Sequence, residues 1–331
     1  MNVFLQILAL FILMAVGFAA GKLTILEGQT LRGMSSFIIK ISLPALILVS
    51  MQRPFSPELF AAAWQTLITA TVFYALVIAF SLAAAHILNL PKGQRGVFAF
   101  SLSFSNAAFI GFPVVLAILG EQAIFLTAIH NVLFNLLAFS AGIVMVSRDT
   151  LPDRTSSAEP ATKVQRVNTL SLNRNAGTLL RAIPWKHLTN INVLAAAAGF
   201  TFFALSISIP QAIKHPLELL GSVTTPLAMI VTGAMLSRAR IRTIFGNWKI
   251  YAAAIMRLVI LPVMAFLGVR LIGLNSMIGA ITVIIAGMPA ASNTSLIAEV
   301  YGGDADAASA LVFMTTLGSI VTIPLLALLV G

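Results

Sequence analysis

The sequence predicts an all-α integral membrane protein with ten transmembrane helices in two inverted five-helix repeats. Three observations lead to this prediction: the composition, a regular series of apolar stretches, and the positions of the basic residues. Of the 331 residues, 59% are hydrophobic and 9% are charged, against roughly 45–50% and 25% in an ordinary soluble domain. The chain contains no cysteine, which excludes disulfides, thiolate nucleophiles and sulfur-ligated metals.

Ten apolar stretches approach or exceed the roughly 20 residues needed to cross a hydrocarbon core of about 30 Å. The predicted spans one to ten are residues 3–21, 33–52, 60–88, 96–119, 123–147, 189–208, 216–236, 249–271, 277–298 and 306–330. The first stretch lacks a basic N-terminal region and exceeds the length of a signal-peptide core, so we expect a retained span; a cleaved leader is the alternative. Few residues then remain for a soluble domain.

The longest connection, residues 148–188, is polar, basic and rich in Ser, Thr, Asn and Pro. Such a composition predicts a surface linker, here between a first repeat (1–147) and a second repeat (189–331). Lys and Arg collect in cytoplasmic loops, and 15 of them follow odd-numbered spans whereas 3 lie on the opposite side. The linker is therefore predicted to be cytoplasmic and both termini to lie outside. Five spans in each half make the two halves inverted.

An inverted repeat leaves a trace in this sequence at an offset of 182 residues. At that offset Ser42 matches Thr224 and Pro44 matches Pro226 in spans two and seven. Without a gap, the same offset places Gly111 on Asn293. Sequence identity between the two halves is low, so the prediction of a repeat rests equally on the position of the linker and on the predicted topology.

Spans four and nine are interrupted near their midpoints by helix breakers and amides. A proline removes an intrahelical hydrogen bond, and the freed backbone groups have to face protein or a water-filled cavity. Interrupted spans at matching places in inverted halves point to a transport site, and half-helix N-termini favour an anion or carboxylate. The predicted substrate-binding residues are Asn106, Gly111, Pro113, Pro289, Asn293 and Thr294. The alternative is that Pro and Gly are merely common in membrane helices and that Asn links helices.

Three segments of the sequence are distinctive: "SNAAFIGFPVV" followed by "LGEQA", "GMPAASNTSLIAEVYGGDADAAS" followed by "TTLGSIVTIPLL", and "LPALILVSM". They resemble the auxin efflux carrier family, which includes plant PIN transporters and bacterial malonate or malate permeases. The resemblance implies ten helices in two inverted repeats, with helices four and nine crossing at Pro113 and Pro289 beside Asn106 and Asn293. It further implies a carboxylate substrate, an elevator-type movement and a homodimer. The short linker resembles that of the bacterial members, which argues against auxin itself.

Further polar residues inside spans are candidates for lining the substrate path or supporting the site. Lys40 and Arg257 are the only Lys or Arg residues in the interior of spans, away from the span ends. They either snorkel or pair structurally, or they attract anions to the site. Asn131 and Asn135 are spaced to share one helix face of span five. His130 beside them is either a packing residue or a functional one.

The sequence supports transport rather than catalysis. It contains no GxSxG, HExxH or P-loop motif, and its four histidines are scattered, so neither an enzyme nor a metal site is expected. No carboxylate lies at mid-membrane as a proton relay would require. No cofactor is expected. Proton coupling is not supported, because no such carboxylate is present, whereas sodium coupling remains an alternative because Ser, Thr and Asn oxygens could bind the ion.

The prediction is a secondary carrier for a small organic anion such as malonate or malate, in a bacterial-type inner membrane. A passive anion channel, a uniporter and a non-transporting membrane sensor are the alternatives. The expected partners are the carboxylate and the lipid bilayer. Nearly all basic residues lie in loops or at span ends, so the net charge of +10 is attributed to topology and not to nucleic-acid binding.

Overall fold

The computed structural model describes residues 3–26, 28–149, 190–237, 247–274 and 276–330. These residues are almost entirely helical, and the β-structure among them is one isolated bridge. Most of the predicted linker, and the basic residues Arg238, Arg240 and Arg242, lie outside the described residues.

Sixteen α-helices are described, and four short π-helical turns interrupt or precede them. The α-helices are α1 (Val3–Lys22), α2 (Gly28–Phe37), α3 (Leu43–Ser50), α4 (Pro57–Ile87), α5 (Arg95–Ser103), α6 (Phe112–Leu119), α7 (Gln122–Leu137), α8 (Ile143–Asp149), α9 (Ile191–Ala204), α10 (Gln211–Ser222), α11 (Thr224–Leu236), α12 (Trp248–Ile255), α13 (Leu261–Ile272), α14 (Ser276–Gly287), α15 (Thr294–Tyr301) and α16 (Ala305–Val330). The π-turns are Ile38–Ser42, Ala107–Gly111, Ala138–Gly142 and Met256–Ile260.

Within the described ranges, seven continuous helices are long and apolar enough to cross a membrane. They are Val3–Lys22, Gly28–Ser50, Pro57–Ile87, Gln122–Asp149, Gln211–Leu236, Trp248–Ile272 and Ala305–Val330. Three shorter apolar helices fall in predicted spans four, six and nine: Ala107–Leu119, Ile191–Ala204 and Met277–Gly287. No continuous helix crosses the whole of span four or span nine, because each span is divided into two half-helices.

Three of the four π-turns immediately precede a proline. Pro44, Pro113 and Pro262 each stand at the second residue of the α-helix that follows a π-turn. Proline has no N–H, and its ring crowds the carbonyl one turn earlier. A π-turn widens the helix locally, so the chain continues as a helix where an ideal α-helix would clash. Prolines in these spans therefore widen the helix without ending it.

Helix α1 packs closely along α11, and two glycines allow this. A Cβ on Gly17 would lie 2.0 Å from the Ile230 carbonyl oxygen, and one on Gly233 would lie 1.9 Å from the Met14 carbonyl oxygen. Small residues allow helix backbones to approach in membranes. The "GFAAG" motif of α1 is therefore used for packing within one chain.

The buried apolar residues form two clusters that meet at the interrupted spans. In span four, Phe104 before the interruption belongs to one cluster and Phe109 after it belongs to the other. In span nine the arrangement is reversed, because Ile281 in α14 lies in the same cluster as Phe109, and Ile297 in α15 lies in the cluster of Phe104. The two interruptions therefore lie where the clusters join.

Candidate substrate site

The interruption in span four is a short extended segment. Helix α5 ends at Ser103, and Phe104 has the extended angles φ −113°, ψ 118°. Asn106 then caps the next helical turn, and its side-chain oxygen accepts a hydrogen bond from the Phe109 N–H at 3.4 Å. Asn is a favoured N-cap residue because its side chain replaces a missing helical partner. One helix therefore ends and the next begins within three residues.

The interruption in span nine separates α14 from α15 and is hydrogen-bonded to the one in span four. The Asn106 N–H donates to the Pro289 carbonyl at 2.8 Å, and the Ala291 N–H donates to the Phe104 carbonyl at 3.1 Å. Ser105 and Ala290 thereby form an isolated antiparallel bridge. Backbone groups freed from two helices satisfy each other, as a low-dielectric environment requires. We call residues 104–106 and 288–293 the junction.

Thr315 on α16 satisfies a further backbone donor of the junction. Its hydroxyl accepts a hydrogen bond from the Ala290 N–H at 3.1 Å and donates to the Leu311 carbonyl at 2.7 Å. A threonine within a membrane helix either lines a cavity or bonds back to its own helix. The structure shows that it bonds back to its helix and also to the junction.

The two candidate asparagines have different environments. Asn106 is buried, and its side-chain N–H donates to the Ser292 hydroxyl at 2.6 Å, so it links the two interruptions. Asn293 is half-buried at the N-cap of α15, and its side chain has no hydrogen bond to any described residue. Only the Asn293 amide is therefore free for a ligand. Ser292 was not predicted as a site residue, although it precedes the predicted Asn293 directly in the sequence.

Of the other predicted site residues, Pro289 and Thr294 lie in or beside the junction, whereas Gly111 and Pro113 lie farther along span four. The Thr294 hydroxyl is buried and donates to the Ala291 carbonyl at 2.6 Å, so it contributes to the turn before α15. A Cβ on Gly111 would lie 3.0 Å from the Ile285 side chain, so this glycine allows close packing against α14. Pro289 lies in the junction, whereas Pro113 lies in α6 beyond the π-turn. The break in span four thus occurs before Pro113 and not at it.

Arg257 and Lys40 both lie in π-turns, but only Arg257 reaches the junction. Lys40 is exposed. The Arg257 side chain is buried and donates hydrogen bonds to the carbonyls of Leu102, Ile285 and Met288. It therefore pairs structurally with backbone carbonyls, which was one of the two interpretations of this residue.

The polar residues of span five form a separate group. The Asn135 side chain donates to the Asn131 carbonyl at 2.8 Å and accepts from the Asn190 side chain at 2.8 Å. His130 packs against Tyr74, with ring centroids 5.4 Å apart. Asn131 and Asn135 do share a helix face, but their hydrogen bonds run along α7 and to the start of α9, not to the junction.

Among the described residues, the groups at and beside the junction that could contact a bound ligand are hydroxyls and not a metal-binding cluster. The hydroxyls of Ser103 and Ser105 are buried and have no hydrogen-bond partner in the part of the chain that the structure describes. Within those same residues, no group of three or more His, Cys, Asp or Glu could hold a metal ion. The junction therefore offers amides, hydroxyls and backbone groups.

Comparison with known proteins identifies the family. A family model described as "Membrane transport protein" matches residues 2–327. A Rhizobium meliloti protein named "Putative malonate transporter" is 24% identical over 320 residues, which cover 96% of this chain and 92% of the relative. An "Uncharacterized transporter" of Methanocaldococcus jannaschii is 24% identical over 325 residues, 96% of each chain. Another, of Methanothermobacter thermautotrophicus, is 21% identical over 321 residues, 96% of this chain and 95% of the relative.

These matches confirm the resemblance drawn from the sequence motifs. The matched region covers almost the whole chain, and the family and relatives are named as transporters and not as enzymes. The apolar helices agree with a multi-pass membrane protein. The chain belongs to the membrane transport protein family, the family of the auxin efflux carriers.

Proposed function

We propose that this protein is a secondary carrier of a small organic anion, a mono- or dicarboxylate such as malonate or malate, and that the anion binds at the junction. One observation is central to this proposal: the half-buried Asn293 amide, at the start of α15, has no hydrogen-bond partner among the described residues. A polar group of this kind inside a membrane protein is expected to have a functional partner.

The surroundings of Asn293 suit a negative charge. One half-helix begins at Ala107, two residues after the bridge, and another begins at Thr294. The first N–H groups of a helix lack intrahelical partners, and a helix N-terminus carries a partial positive charge. Two such ends at one junction favour a carboxylate over a neutral ligand. The name of the Rhizobium meliloti relative agrees with a dicarboxylate.

Contacts between loops support ten spans with alternating sides. If each predicted span crosses the membrane once, the loops after odd-numbered spans share the cytoplasmic side, with the linker, and both termini lie outside. Every side-chain hydrogen bond that joins two such loops should then connect loops of one side. Five side-chain hydrogen bonds between these loops, or between the span ends beside them, do so. Three lie on the cytoplasmic side: Gln94 to Asp304 at 2.8 Å, Lys249 to the Asn89 carbonyl at 2.9 Å, and the Gly96 N–H to Asp149 at 3.1 Å. Two lie on the outer side: Arg53 to the Glu121 carbonyl at 3.1 Å and the Ile209 N–H to Gln52 at 2.8 Å.

Pairing between the halves supports an inverted repeat. The hydroxyls of Ser42 and Thr224, residues matched at the 182-residue offset, are hydrogen-bonded to each other. Residues related by a two-fold axis meet in this way when they lie on the axis. At the same offset Ser105 would match Gly287, but Ser105 bridges to Ala290 instead. The residues that meet at the junction are therefore shifted by three positions from the offset of 182. By family resemblance, spans one, two, six and seven would form the scaffold of an elevator-type carrier.

Counterflow in proteoliposomes tests the proposed function. Vesicles containing the purified protein are loaded with unlabelled malonate and placed in labelled malonate; matched vesicles are loaded with malonamide, which has the same shape without charge. We expect transient accumulation of label only with malonate inside, because a carrier exchanges its substrates. Equilibration without overshoot would indicate a channel, and binding without uptake would indicate a sensor; either result would contradict the proposal.

A further inference from the structure

The side chain of Arg257 is inside the protein without a carboxylate partner. It is 1% exposed, and no salt bridge to it is found among the described residues. Its Nε donates to the Met288 carbonyl at 2.9 Å, and its two terminal nitrogens donate to the carbonyls of Leu102 at 2.6 Å and Ile285 at 3.4 Å. A buried charge is costly unless it is well compensated, and here backbone oxygens supply that compensation.

The three carbonyls belong to the ends of two different helices. Leu102 lies in the last turn of α5, Ile285 lies in the last turn of α14, and Met288 follows α14 directly. The last carbonyls of a helix have no intrahelical donors, and a helix C-terminus carries a partial negative charge. The guanidinium therefore neutralises two negative helix ends at once, on the two spans that form the junction.

A cluster of backbone oxygens at broken helices is also the kind of site that binds a free cation. Unwound carbonyls and half-helix C-termini coordinate sodium in carriers with discontinuous helices, and hard cations prefer oxygen ligands. Arg257 already provides a positive charge and donors to these oxygens. A second cation nearby would be repelled, although the free hydroxyls of Ser103 and Ser105 are further oxygen ligands.

We infer that Arg257 is a tethered cation, which takes the place of a free coupling cation at the junction and makes malonate binding and transport independent of sodium. This inference rests on the proposed function for its transport readout. Arg257 acts as a positioning residue: it holds the ends of α5 and α14 together, and this fixes the starts of the following half-helices where the anion binds. Arg257 neutralises the negative C-terminal ends of α5 and α14 at the junction. The positive N-terminal ends of the following half-helices remain for the substrate.

Sodium replacement in the unchanged protein is the first test. Counterflow of malonate is measured in sodium chloride and in choline chloride at equal ionic strength. Equal rates in the two salts are expected, because the cation is part of the chain. Loss of transport in choline would overturn the inference while leaving the proposed carrier function intact.

Chemical rescue is the second test and separates a tethered cation from a general structural role. Arg257→Ala, Arg257→Lys and a control, Arg270→Ala, are compared; Arg270 is exposed and lies over the Phe266 ring. Counterflow of Arg257→Ala should fall at least about tenfold, the factor that corresponds to one lost charge-assisted hydrogen bond. Millimolar guanidinium or sodium should restore it several-fold, whereas Arg257→Lys and Arg270→Ala should need no rescue.

Thermal stability provides a readout that does not depend on the substrate. Guanidinium at the same low concentration should raise the melting temperature of Arg257→Ala relative to choline, because a ligand that binds only the folded state stabilises it. It should not raise that of the parent protein or of Arg270→Ala. The inference is wrong if no small cation stabilises folded Arg257→Ala. If the parent protein fails to transport malonate yet the cation stabilises Arg257→Ala, only the proposed substrate fails.

Discussion

Replacement of Gly233 by alanine tests the close packing of α1 against α11. The added Cβ would lie 1.9 Å from the Met14 carbonyl oxygen and 2.8 Å from the Phe18 nitrogen, whereas ordinary contacts begin near 3.4 Å. Both atoms belong to the backbone of α1, so no side chain can turn away. The helices would have to separate by about 1.5 Å, and the contacts along α1 would be lost.

The expected cost follows from this lack of an easy relaxation. Overpacking of a close interface costs about 1–3 kcal/mol and occasionally more, and a clash between two backbones belongs at the upper end, about 3 kcal/mol. Gly268 on α13 is the matched control, because nothing lies within 4 Å of a Cβ built there. Gly268→Ala should not lower the free energy of unfolding and should raise it by about 0.5–1 kcal/mol, because glycine inside a helix is less favourable than alanine.

Thermal unfolding in detergent, followed by tryptophan fluorescence and by the monodisperse fraction on size exclusion, measures both variants. Gly233→Ala should melt well below the parent protein and Gly268→Ala should not. Equal melting temperatures for the two variants would refute the packing of α1 on α11 described above.

Two further predictions concern hydrogen bonds of the junction, and both are measured as melting temperature together with counterflow. Asn106→Ala removes an N-cap and the bond to the Ser292 hydroxyl, so we expect a loss of about 2 kcal/mol in stability as well as loss of transport; an unchanged melting temperature would contradict this. Thr315→Val keeps the shape but leaves the buried Ala290 N–H without its acceptor, which should cost about 1–3 kcal/mol. A Thr315→Ser variant should retain most of that stability, and equal loss in both would argue against the bond.

The sequence was sufficient to locate the interruptions but not to assign the role of each residue in them. Gly, Pro and Asn near the middle of spans four and nine predicted two breaks, because each residue has a local effect on a helix. The position of the first break relative to Pro113 was not predictable, since the chain accommodates this proline by a π-turn. The helix breaks in the extended residues before Asn106 because these residues pair with the segment around Ala290, which is distant in sequence.

Contacts between distant segments explain what the sequence could not distinguish. Lys40 and Arg257 looked alike as single basic residues within spans, and both lie in π-turns. Only the arrangement of α5 and α14 around span eight brings carbonyls to Arg257. Similarly, Asn106 and Asn293 looked equivalent in the sequence. In the structure the Asn106 side chain donates a hydrogen bond to Ser292, whereas the Asn293 side chain does not.

Equilibrium binding of labelled malonate to the purified protein tests the central claim, that the anion binds at the junction beside Asn293. The comparison is between Asn293→Ala and Asn247→Ala, which removes an amide from another N-cap, at the start of α12. Both variants should remain folded. We expect Asn293→Ala to weaken malonate binding about tenfold or more, as for a lost hydrogen bond to a charged ligand, and Asn247→Ala to bind as the parent does. Unchanged affinity in folded Asn293→Ala would contradict the placement of the substrate site.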